Sequence, residues 1–506
     1  VVEARQRLGG RVLTQTCAST GQALDLGATW FWPDTEPRMA ALLAELYIGH
    51  FPQYDPGDAL WLTDPNRQPE RREEPGGVHA DAQRIEGGAG RLIDALAASL
   101  PEHCMHAASA LRLLRDRGAY IELQVESAGR TRLLRARRVA LALPPRLVQA
   151  RIAFDPPLAA GLSAALADIP TWMAAQAKAA MTYPQPFWRA QGHSGQAFVR
   201  HAQAVLGEVF DASDEPTNAG ALGGFFALDA AQRERFRRGM PLLVESQFAQ
   251  LFGSEAQQGQ QYLADWAQEA WTCTDADKAG PAEWPQADPL LRTAHWAERL
   301  FFGGSETALH GTGHMEGALD AAARIARALE AKQVQTHGGH EASAAEADDA
   351  RSRFAAYVAA CRAQAPAHYK QQLARLLSGQ QQQLTQRALL ATVGQVYSQV
   401  LVVLDQLLPT LQVEQSAAAQ AGRHSLTPVL LASFQGWNKG LLTEALEFNA
   451  ASCALSNFPD DHQPDDHLQR AIALDLAAAW REFALELNAR LLAASEVMAV
   501  RPGVPA

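Results

Sequence analysis

Cysteine is scarce in this sequence of 506 residues, and its five cysteines never form a CxxC pair. Scattered cysteines, odd in number, indicate a reducing compartment and exclude the paired spacing of a structural zinc site. We therefore expect a cytoplasmic protein without a metal site. The GxSxG, HExxH and P-loop signatures are missing too, which excludes the hydrolases and nucleotidases that those motifs identify.

Long apolar runs are also missing. The densest, VLVVL at 400–404, is far shorter than the roughly 18 residues that a bilayer-spanning helix needs, so we expect no membrane span. The net charge of −11 argues against a nucleic-acid-binding surface, because phosphate neutralisation requires clustered Lys and Arg. A small-molecule partner fits this composition better, and homo-oligomerisation is left open.

The residues that are present can build packed domains. Hydrophobic residues make up 47% of the chain and charged residues 20%, so wholesale disorder is excluded, and the length indicates two or three domains. Beyond residue 350 the apolar residues recur at helical spacing. One such apolar stripe consists of Leu389, Val393, Val396, Val400, Val403 and Leu407. This periodicity predicts an all-α C-terminal domain over 350–500, preceded by a linker at 331–349.

The first 32 residues predict a strand, a glycine turn and a second strand, in VVEARQRLGGRV and ALDLGATWFW. In a nucleotide-binding βαβ unit the acid that ends a strand binds ribose hydroxyls, and Glu3 has the type and position for that role. The two glycines of RLGGRV let backbone approach a ligand closely, while Arg5 and Arg11 offer charge-assisted hydrogen bonds to a diphosphate. The GxGxxG strand-turn-helix that normally precedes such a unit is not in the sequence, and we expect an incomplete chain.

From these residues onward the sequence resembles the flavin-containing amine oxidase family, which includes monoamine oxidases and polyamine oxidases. The segments that match, in the family's order, are EARQRLGGRV with LDLGATWFW, RIEGGAGRLIDALAASL, RRVALALPP with PFWR at 186–189, and LFFGGSETALHGTGHMEGALDAAARIA. The resemblance covers about residues 1–330. It implies an α/β fold with a discontinuous Rossmann-type FAD-binding domain at 1–60, 85–150 and 285–330, and a mixed α/β substrate domain at 151–284.

The resemblance also implies roles for individual residues. Lys178 would hold a water against flavin N5, which makes it the implied catalytic residue. The implied FAD contacts are Glu3, Arg5, Gly10, Arg11, Ala110, Trp266, Gly304, Glu306, Gly313 and Met315. A helix beginning near Met315 would direct its unpaired N–H groups and positive dipole end at the flavin pyrimidine edge. The implied substrate pocket contains Trp30, Trp271 and His314.

Two departures from the family pattern bear on function. Asp275 occupies the place of the cysteine that can bond the cofactor, and Cys273 lies two residues out of register, so we expect non-covalent FAD. Ala276 and His314 occupy the places of the two tyrosines that frame the substrate amine. We therefore expect the aromatic sandwich to be absent or rebuilt.

The reaction implied by the resemblance is the oxidation of an amine to an imine by hydride transfer to flavin N5, with dioxygen as the second substrate and hydrogen peroxide as a product. Two alternatives stay open. One is a flavin desaturase or dehydrogenase of the same fold that acts on a non-amine substrate. The other is a degenerate, non-catalytic flavoprotein that serves as an interaction module. PFWR and the position of Lys178 favour amine oxidation.

Overall fold

The computed structural model describes residues 1–73, 79–215, 217–280, 284–330, 344–378, 383–408, 410–411, 423–452, 455 and 458–499. Its internal contacts divide the chain into two compact units, Val1–Ile325 and Ala326–Ala506. Most of the predicted linker, residues 331–343, lies outside the described residues. The predicted domain boundaries therefore remain predictions.

The first unit is a mixed α/β structure. Its strands are β1 (Thr14–Thr16), β2 (Ala23–Asp25), β3 (Trp30–Phe31), β4 (His50–Pro52), β5 (Asp58–Leu62), β6 (Glu70–Arg72), β7 (Gln83–Ile85), β8 (Ser109–Asp116), β9 (Ile121–Ser127), β10 (Arg130–Ala136), β11 (Val139–Leu141), β12 (Ala153–Asp155), β13 (Ala177–Tyr183), β14 (His193–Val199), β15 (Leu206–Asp211), β16 (Gly220–Phe226), β17 (Gln260–Asp265) and β18 (Leu300–Phe302). Its helices are α1 (Pro37–Glu45), α2 (Gly90–Ala98), α3 (Pro145–Arg151), α4 (Ala160–Asp168), α5 (Phe187–Ala190), α6 (Ala230–Phe236), α7 (Met240–Phe252), α8 (Asp275–Ala279), α9 (Pro289–Arg292) and α10 (Met315–Glu330), the last of which continues into the second unit.

A seven-stranded sheet, in the order β17-β13-β16-β15-β14-β5-β6, carries the larger core of this unit. Successive side chains of a strand point to opposite faces, so each strand contributes to two environments. On one face, Ala179 and Val209 belong to a cluster that also includes Phe248 of α7. On the other face, Ala180 and Phe210 pack with residues of the β2 region. The alternation thus separates a supporting core from a face that meets the β2 turn.

Parallel pairing joins β11 to β18, β12 to β8 and β14 to β5. Near the start of the chain, Val2 forms an isolated parallel bridge with His106. The predicted opening strand is therefore wrong in extent, since regular pairing within residues 1–13 is reduced to that bridge. The N–H of Arg5 donates to Oε1 of Glu3 at 2.8 Å, and a local bond of this kind competes with a strand ladder.

The second unit is helical where it is described. Its helices are α11 (Ala344–Ser378), α12 (Leu384–Leu407), α13 (Leu426–Leu431), α14 (Trp437–Ala451), α15 (Pro459–His462) and α16 (Asp466–Ala499). The predicted apolar stripe of α12 is confirmed, because its members belong to the core of this unit, with Val403 partly buried. Among the described helices, α12 alone is long and apolar enough to cross a membrane, yet 56% of its most apolar window is buried inside the structure.

Candidate functional site

Lys178 lies on β13, on the sheet face that meets the β2 turn. Its ammonium group donates to the carbonyl oxygens of Asp25 at 3.2 Å and Gly27 at 2.7 Å and to the Thr29 hydroxyl at 2.5 Å. These acceptors explain why the predicted second strand is interrupted between β2 and β3, since the turn carbonyls face the lysine. Lys178 is only 4% exposed, although sequence alternation alone would place it on a polar face.

Three aromatic rings surround the Lys178 amine. Its Nζ lies 4.9 Å from the ring centroid of Phe225, 5.1 Å from that of Trp30 and 5.7 Å from that of Phe210. The ring of His79 stacks on Trp30 at 4.0 Å between centroids. The lysine is therefore held in an aromatic box that excludes bulk water.

Burial lowers the pKa of Lys178 to about 7, because removing the ammonium from water disfavours the charged form. The carboxylates of Asp25 and Glu208 oppose this shift, and the Arg84 guanidinium adds to it. Near neutral pH a large share of Lys178 is therefore a neutral amine. Such an amine can accept a hydrogen bond or a proton from a water molecule, as the resemblance requires.

The PFWR segment supports the box without entering it. Trp188 donates to Oδ2 of Asp211 at 2.9 Å, and Arg189 binds both carboxylate oxygens of Asp211 at 2.8 and 3.0 Å. The carbonyl of Asp211 accepts from Gln53 at 2.7 Å, and Oε1 of Gln53 accepts from the indole N–H of Trp30 at 2.7 Å. PFWR thus positions Trp30 indirectly, through the hydrogen bonds of Asp211 and Gln53.

Arg11 and Glu306 form an ion pair beside the same turn, with Nη1 to Oε1 at 2.6 Å, and Glu306 is fully buried. The N–H of Ala28 donates to the carbonyl of Arg11 at 3.2 Å, which fixes the RLGGRV turn against the turn that holds Lys178. A Cβ at Gly27 would lie 2.0 Å from that carbonyl, so only glycine allows this approach. Trp266 joins the group, since its indole N–H donates to Leu26 O at 2.9 Å.

The segment before α10 is built on close backbone packing. A Cβ at Gly304 would lie 2.2 Å from the carbonyl oxygen of Leu143. Gly313 has a φ of +82°, and a Cβ there would lie 2.5 Å from Cβ of Trp172. The amide N–H of Trp172 lies 3.4 Å from Glu306 and donates to it. α10 begins at Met315, as predicted, so its first-turn N–H groups follow directly on this packed turn.

Glu3, Arg5 and Ala110 form a separate group at the start of β8. The carbonyl of Glu3 accepts from the N–H of Ser109, the neighbour of Ala110, at 2.8 Å. The Arg5 guanidinium donates to Glu269 at 3.0 Å. The ring of Trp271 also lies here, with the Arg112 guanidinium 5.3 Å from its centroid. The assignment of Trp271 to the substrate pocket therefore stays a prediction, and these contacts do not support it.

His314 stands among other aromatic residues. Its Nδ1 lies 2.7 Å from Oε1 of Glu36, and its ring lies 5.1 Å from Trp284 and 6.3 Å from Trp32. Trp284 in turn lies 4.3 Å from Trp172. Trp32 and Trp284, which the sequence pattern did not assign to the site, therefore lie beside His314, at the place of a tyrosine in the family pattern.

Among the predicted FAD contacts, the RLGGRV turn has the open surface and the charge that the cofactor would need. Gly10 has a φ of +58° and a Cβ there would meet nothing within 4 Å, so an open surface lies beside the RLGGRV turn. One carboxylate oxygen of Asp25, Oδ2, is buried without a hydrogen-bond partner among the described residues, next to the turn that Lys178 binds. Arg11 offers a cation beside this turn, whereas Glu306 is fully buried against Arg11 and Glu3 belongs to the separate group at β8, so FAD contacts at these two acids stay predictions.

Sequence patterns missed several residues of the site. His79 lies in a polar, proline-rich stretch that predicts an exposed loop. Gln53 and Asp211 lie outside the family motifs, and Glu208 reaches the site only through strand pairing. A hydrophobic pattern does not predict the contacts of a polar residue whose partner is far away in the sequence.

Comparison with known proteins identifies the family of this chain. The family profile described as flavin containing amine oxidoreductase matches residues 1–76 and 71–329. AofH of Mycobacterium tuberculosis is 29% identical over 254 residues, which are 49% of this chain and 52% of AofH. Human flavin-containing amine oxidase B is 28% identical over 205 residues, or 38% of this chain and 37% of that protein. The chain thus spans about half the length, or less, of these curated relatives.

Solved structures share the fold. Cyclohexylamine oxidase from Brevibacterium oxydans matches with a TM-score of 0.54 and 17% identity, over 65% of this chain and 93% of its own. Wild-type putrescine oxidase bound to putrescine matches with a TM-score of 0.51 and 20% identity, over 66% and 93%. The predicted fold class and FAD as the cofactor are confirmed. Because the family profile covers well over half of the sequence, the chain belongs to the flavin-containing amine oxidoreductase family.

Proposed function

We propose that this protein oxidises a small amine to an imine with non-covalently bound FAD and dioxygen. The observation that carries the proposal is the Lys178 amine, buried among three aromatic rings and hydrogen-bonded to the turn beside Arg11. Burying an ammonium group costs stability, so a lysine with a pKa near 7 in such a place favours a chemical role in addition to its hydrogen bonds to the turn.

When bound, FAD would supply the redox chemistry, which is the two-electron oxidation of the amine at its α-carbon coupled to reduction of dioxygen, with two protons, to hydrogen peroxide. The resulting imine takes up water and yields a carbonyl compound and ammonia or a shorter amine. The protein positions the substrate and excludes bulk water from the reacting centre. Phe210, Phe225 and Trp30 exclude water around the reacting centre, and neutral Lys178 holds one water molecule by its lone pair.

The cofactor is held by the ion-pair and glycine-turn residues. Arg11 would face the diphosphate, Glu306 would hold the Arg11 guanidinium in place, Glu3 would accept from hydroxyl groups, and the N-terminus of α10 would face the electron-rich ring edge. Covalent attachment through the Cys273 region is disfavoured. Burial raises the pKa of Cys273 to about 11, and Asp275 is fully exposed at the start of α8.

The test is the absorbance of flavin in the purified protein after incubation with FAD, followed by anaerobic addition of single amines. We expect bound flavin, loss of its visible band with some amines, and peroxide release when air is admitted. Acid precipitation should release the flavin into the supernatant. Bound flavin that no amine bleaches would support a desaturase or dehydrogenase, and failure to take up FAD would support an interaction module.

A further inference from the structure

Five arginines lie within the nine residues 130–138, which comprise β10 and the two residues that follow it. They are Arg130, Arg132, Arg135, Arg137 and Arg138, and no acid lies among them. The wider segment 109–138, from β8 through β10, holds eight arginines and three acids, although the chain as a whole carries a net charge of −11. None of the five arginines at 130–138 belongs to the candidate site.

The neighbouring strands leave the arginines of β10 without acidic partners. The two glutamates of β9 are already paired with arginines of β8: Glu126 with Arg112 at 2.8 Å, and Glu122 with Arg115 at 3.1 Å. Within the part of the chain that the structure describes, none of the five arginines at 130–138 forms an ion pair. β10 therefore carries positive charge that the described protein does not neutralise.

β10 is also an open sheet edge. The sheet has the order β10-β9-β8-β12, so β10 pairs on one side only. The hairpin between β9 and β10 turns at Ala128 and Gly129, whose φ values of 49° and 72° fit a two-residue type I′ turn. Ser127 and Arg130 close this turn as a hydrogen-bonded pair, and every second residue after Arg130 directs its backbone N–H and C=O groups away from β9. These residues are Thr131, Leu133 and Arg135.

β10 lacks the structural features that commonly stop a further strand from adding to an edge. Its register with β9 runs without a shift from Arg130 to Ala136, so β10 has no bulge, and it contains no proline. Leu133, midway along the edge, is 60% exposed. Like charges protect such an edge against a copy of itself, because two copies would repel, but they favour a strand of opposite charge.

We propose that β10 binds an acidic, extended segment of a partner polypeptide, which adds to this sheet as a further strand. The outward N–H and C=O groups of Thr131, Leu133 and Arg135 would bind the backbone of that segment, and the arginines would bind its carboxylates. The same edge of a second copy is a poor occupant, since it would set arginine against arginine. A nucleic acid or an anionic membrane would satisfy the charge but leave the backbone groups unused.

The experiment measures binding of a defined probe to the FAD-loaded full chain. The probe is a fluorescein-labelled peptide, Glu-Val-Glu-Val-Glu-Val-Glu amide, followed by fluorescence anisotropy at about 50 mM salt, where exposed charges are only partly screened. The same peptide with lysine in place of glutamate tests the sign of the charge. An oligothymidylate and phosphatidylglycerol-containing vesicles represent the other anionic partners. Hydrogen exchange of 130–138, measured by mass spectrometry, reports on the backbone.

One set of variants removes charge. It consists of Arg130→Gln, Arg132→Gln and Arg137→Gln together, all at exposed positions. Arg135 is kept, because its guanidinium lies 5.1 Å from the ring centroid of Tyr120 and supports the strand. The matched control removes as many charges from exposed positions at the end of α6 and just beyond it: Arg235→Gln, Arg237→Gln and Arg238→Gln.

A second pair of variants tests the backbone. Leu133→Pro removes the outward N–H at the centre of the edge and costs no hydrogen bond to β9, since proline is tolerated where an edge N–H faces solvent. Leu133→Ala is its control, because it shortens the side chain and keeps the N–H. Thermal unfolding checks that each variant is folded. If Leu133→Pro is unfolded, protection of 130–138 by the peptide in the wild type decides by itself.

We expect the wild type to bind the glutamate peptide, to ignore the lysine peptide and to gain exchange protection over 130–138. The triple arginine variant should bind about 10-fold more weakly, and Leu133→Pro about 5- to 10-fold more weakly, while both controls bind as the wild type does. Absence of binding by the wild type would overturn the inference. So would preferential binding of the oligothymidylate or the vesicles, or peptide binding that leaves 130–138 unprotected.

Discussion

The indole N–H of Trp30 and the amide oxygen of Gln53 are joined by a hydrogen bond of 2.7 Å, and this bond ties the wall of the aromatic box to the PFWR segment. Gln53→Met should free Trp30 and leave the Asp211 carbonyl without its donor. We expect flavin reduction by a good amine to slow by about tenfold, and stability to fall by about 1–3 kcal/mol. Stopped-flow absorbance and urea unfolding measure the two effects. Gln191→Met, at an exposed glutamine, should change neither.

Lys178→Met should remove the amine that we propose holds a water molecule, while it leaves FAD bound. We expect flavin reduction or reoxidation to slow by about 100-fold or more, the range for a lost proton-handling group. Rapid-reaction kinetics with and without dioxygen separate the two half-reactions. Lys278→Met, in an exposed pair with Asp275, is the control. Unchanged rates in both half-reactions for Lys178→Met would remove Lys178 from the mechanism.

The lowered pKa of Lys178 also predicts how stability depends on pH. Below pH 7 the folded and unfolded states both bind the proton, so the burial penalty on the ammonium is complete. Between the folded pKa of about 7 and the ordinary value of 10.5, only the unfolded state binds it. Wild-type stability should therefore rise with pH relative to Lys178→Met, by up to about 1.4 kcal/mol per pH unit. Urea unfolding of both proteins at pH 7, 8 and 9 measures the difference, and parallel curves would contradict it.

Arg189→Met should destabilise the protein strongly although Arg189 lies outside the aromatic box. Asp211 is fully buried and bound to both Arg189 and Trp188, so the change leaves a buried carboxylate without its cation. We expect a loss of about 3 kcal/mol in unfolding free energy. Arg237→Met removes an exposed pair with Glu234 and should cost under about 1 kcal/mol. Equal losses in the two variants would show that the Asp211 pair is not a special support.

Gly304→Ala tests the packing in front of α10. Its Cβ would lie 2.2 Å from Leu143 O, and neither backbone can yield without moving β11 or the segment that carries Glu306. We expect a loss of about 1–3 kcal/mol and weaker FAD binding. Gly161→Ala, inside α4 with ordinary contact at 3.8 Å, should instead stabilise the protein by up to about 1 kcal/mol. Thermal unfolding and FAD titration of both variants provide the comparison.

The sequence predicts those parts of the molecule whose signal is local. The helical stripe of α12 and the start of α10 at Met315 follow from spacing along one segment, and the structure has both. Lys178 could be named because it lies close to PFWR along the chain. Its partners could not all be named, since Glu208 reaches Lys178 only through the pairing of β13, β16 and β15, and strand register between distant segments leaves no trace in local composition.

Two corrections have the same origin. The opening strand was expected from its apolar residues, but a strand also needs a paired neighbour, and Val2 has one bridge to His106. His79 belongs to a segment whose prolines and charges predict exposure, yet its ring stacks on Trp30. In both places a tertiary contact, and not the residue's own preference, decides the structure.

The alternation along β13, β15 and β16 has a consequence for how such a protein can change. Phe210 and Phe225 face the Lys178 amine, while Val209 and Leu222 belong to the packed face that contains α7. New residues at 210 and 225 can therefore alter the aromatic box while the buried layer behind them stays the same. The site and the scaffold occupy alternating positions of the same strands, so a library restricted to the site-facing positions of each strand would vary the site and spare the scaffold.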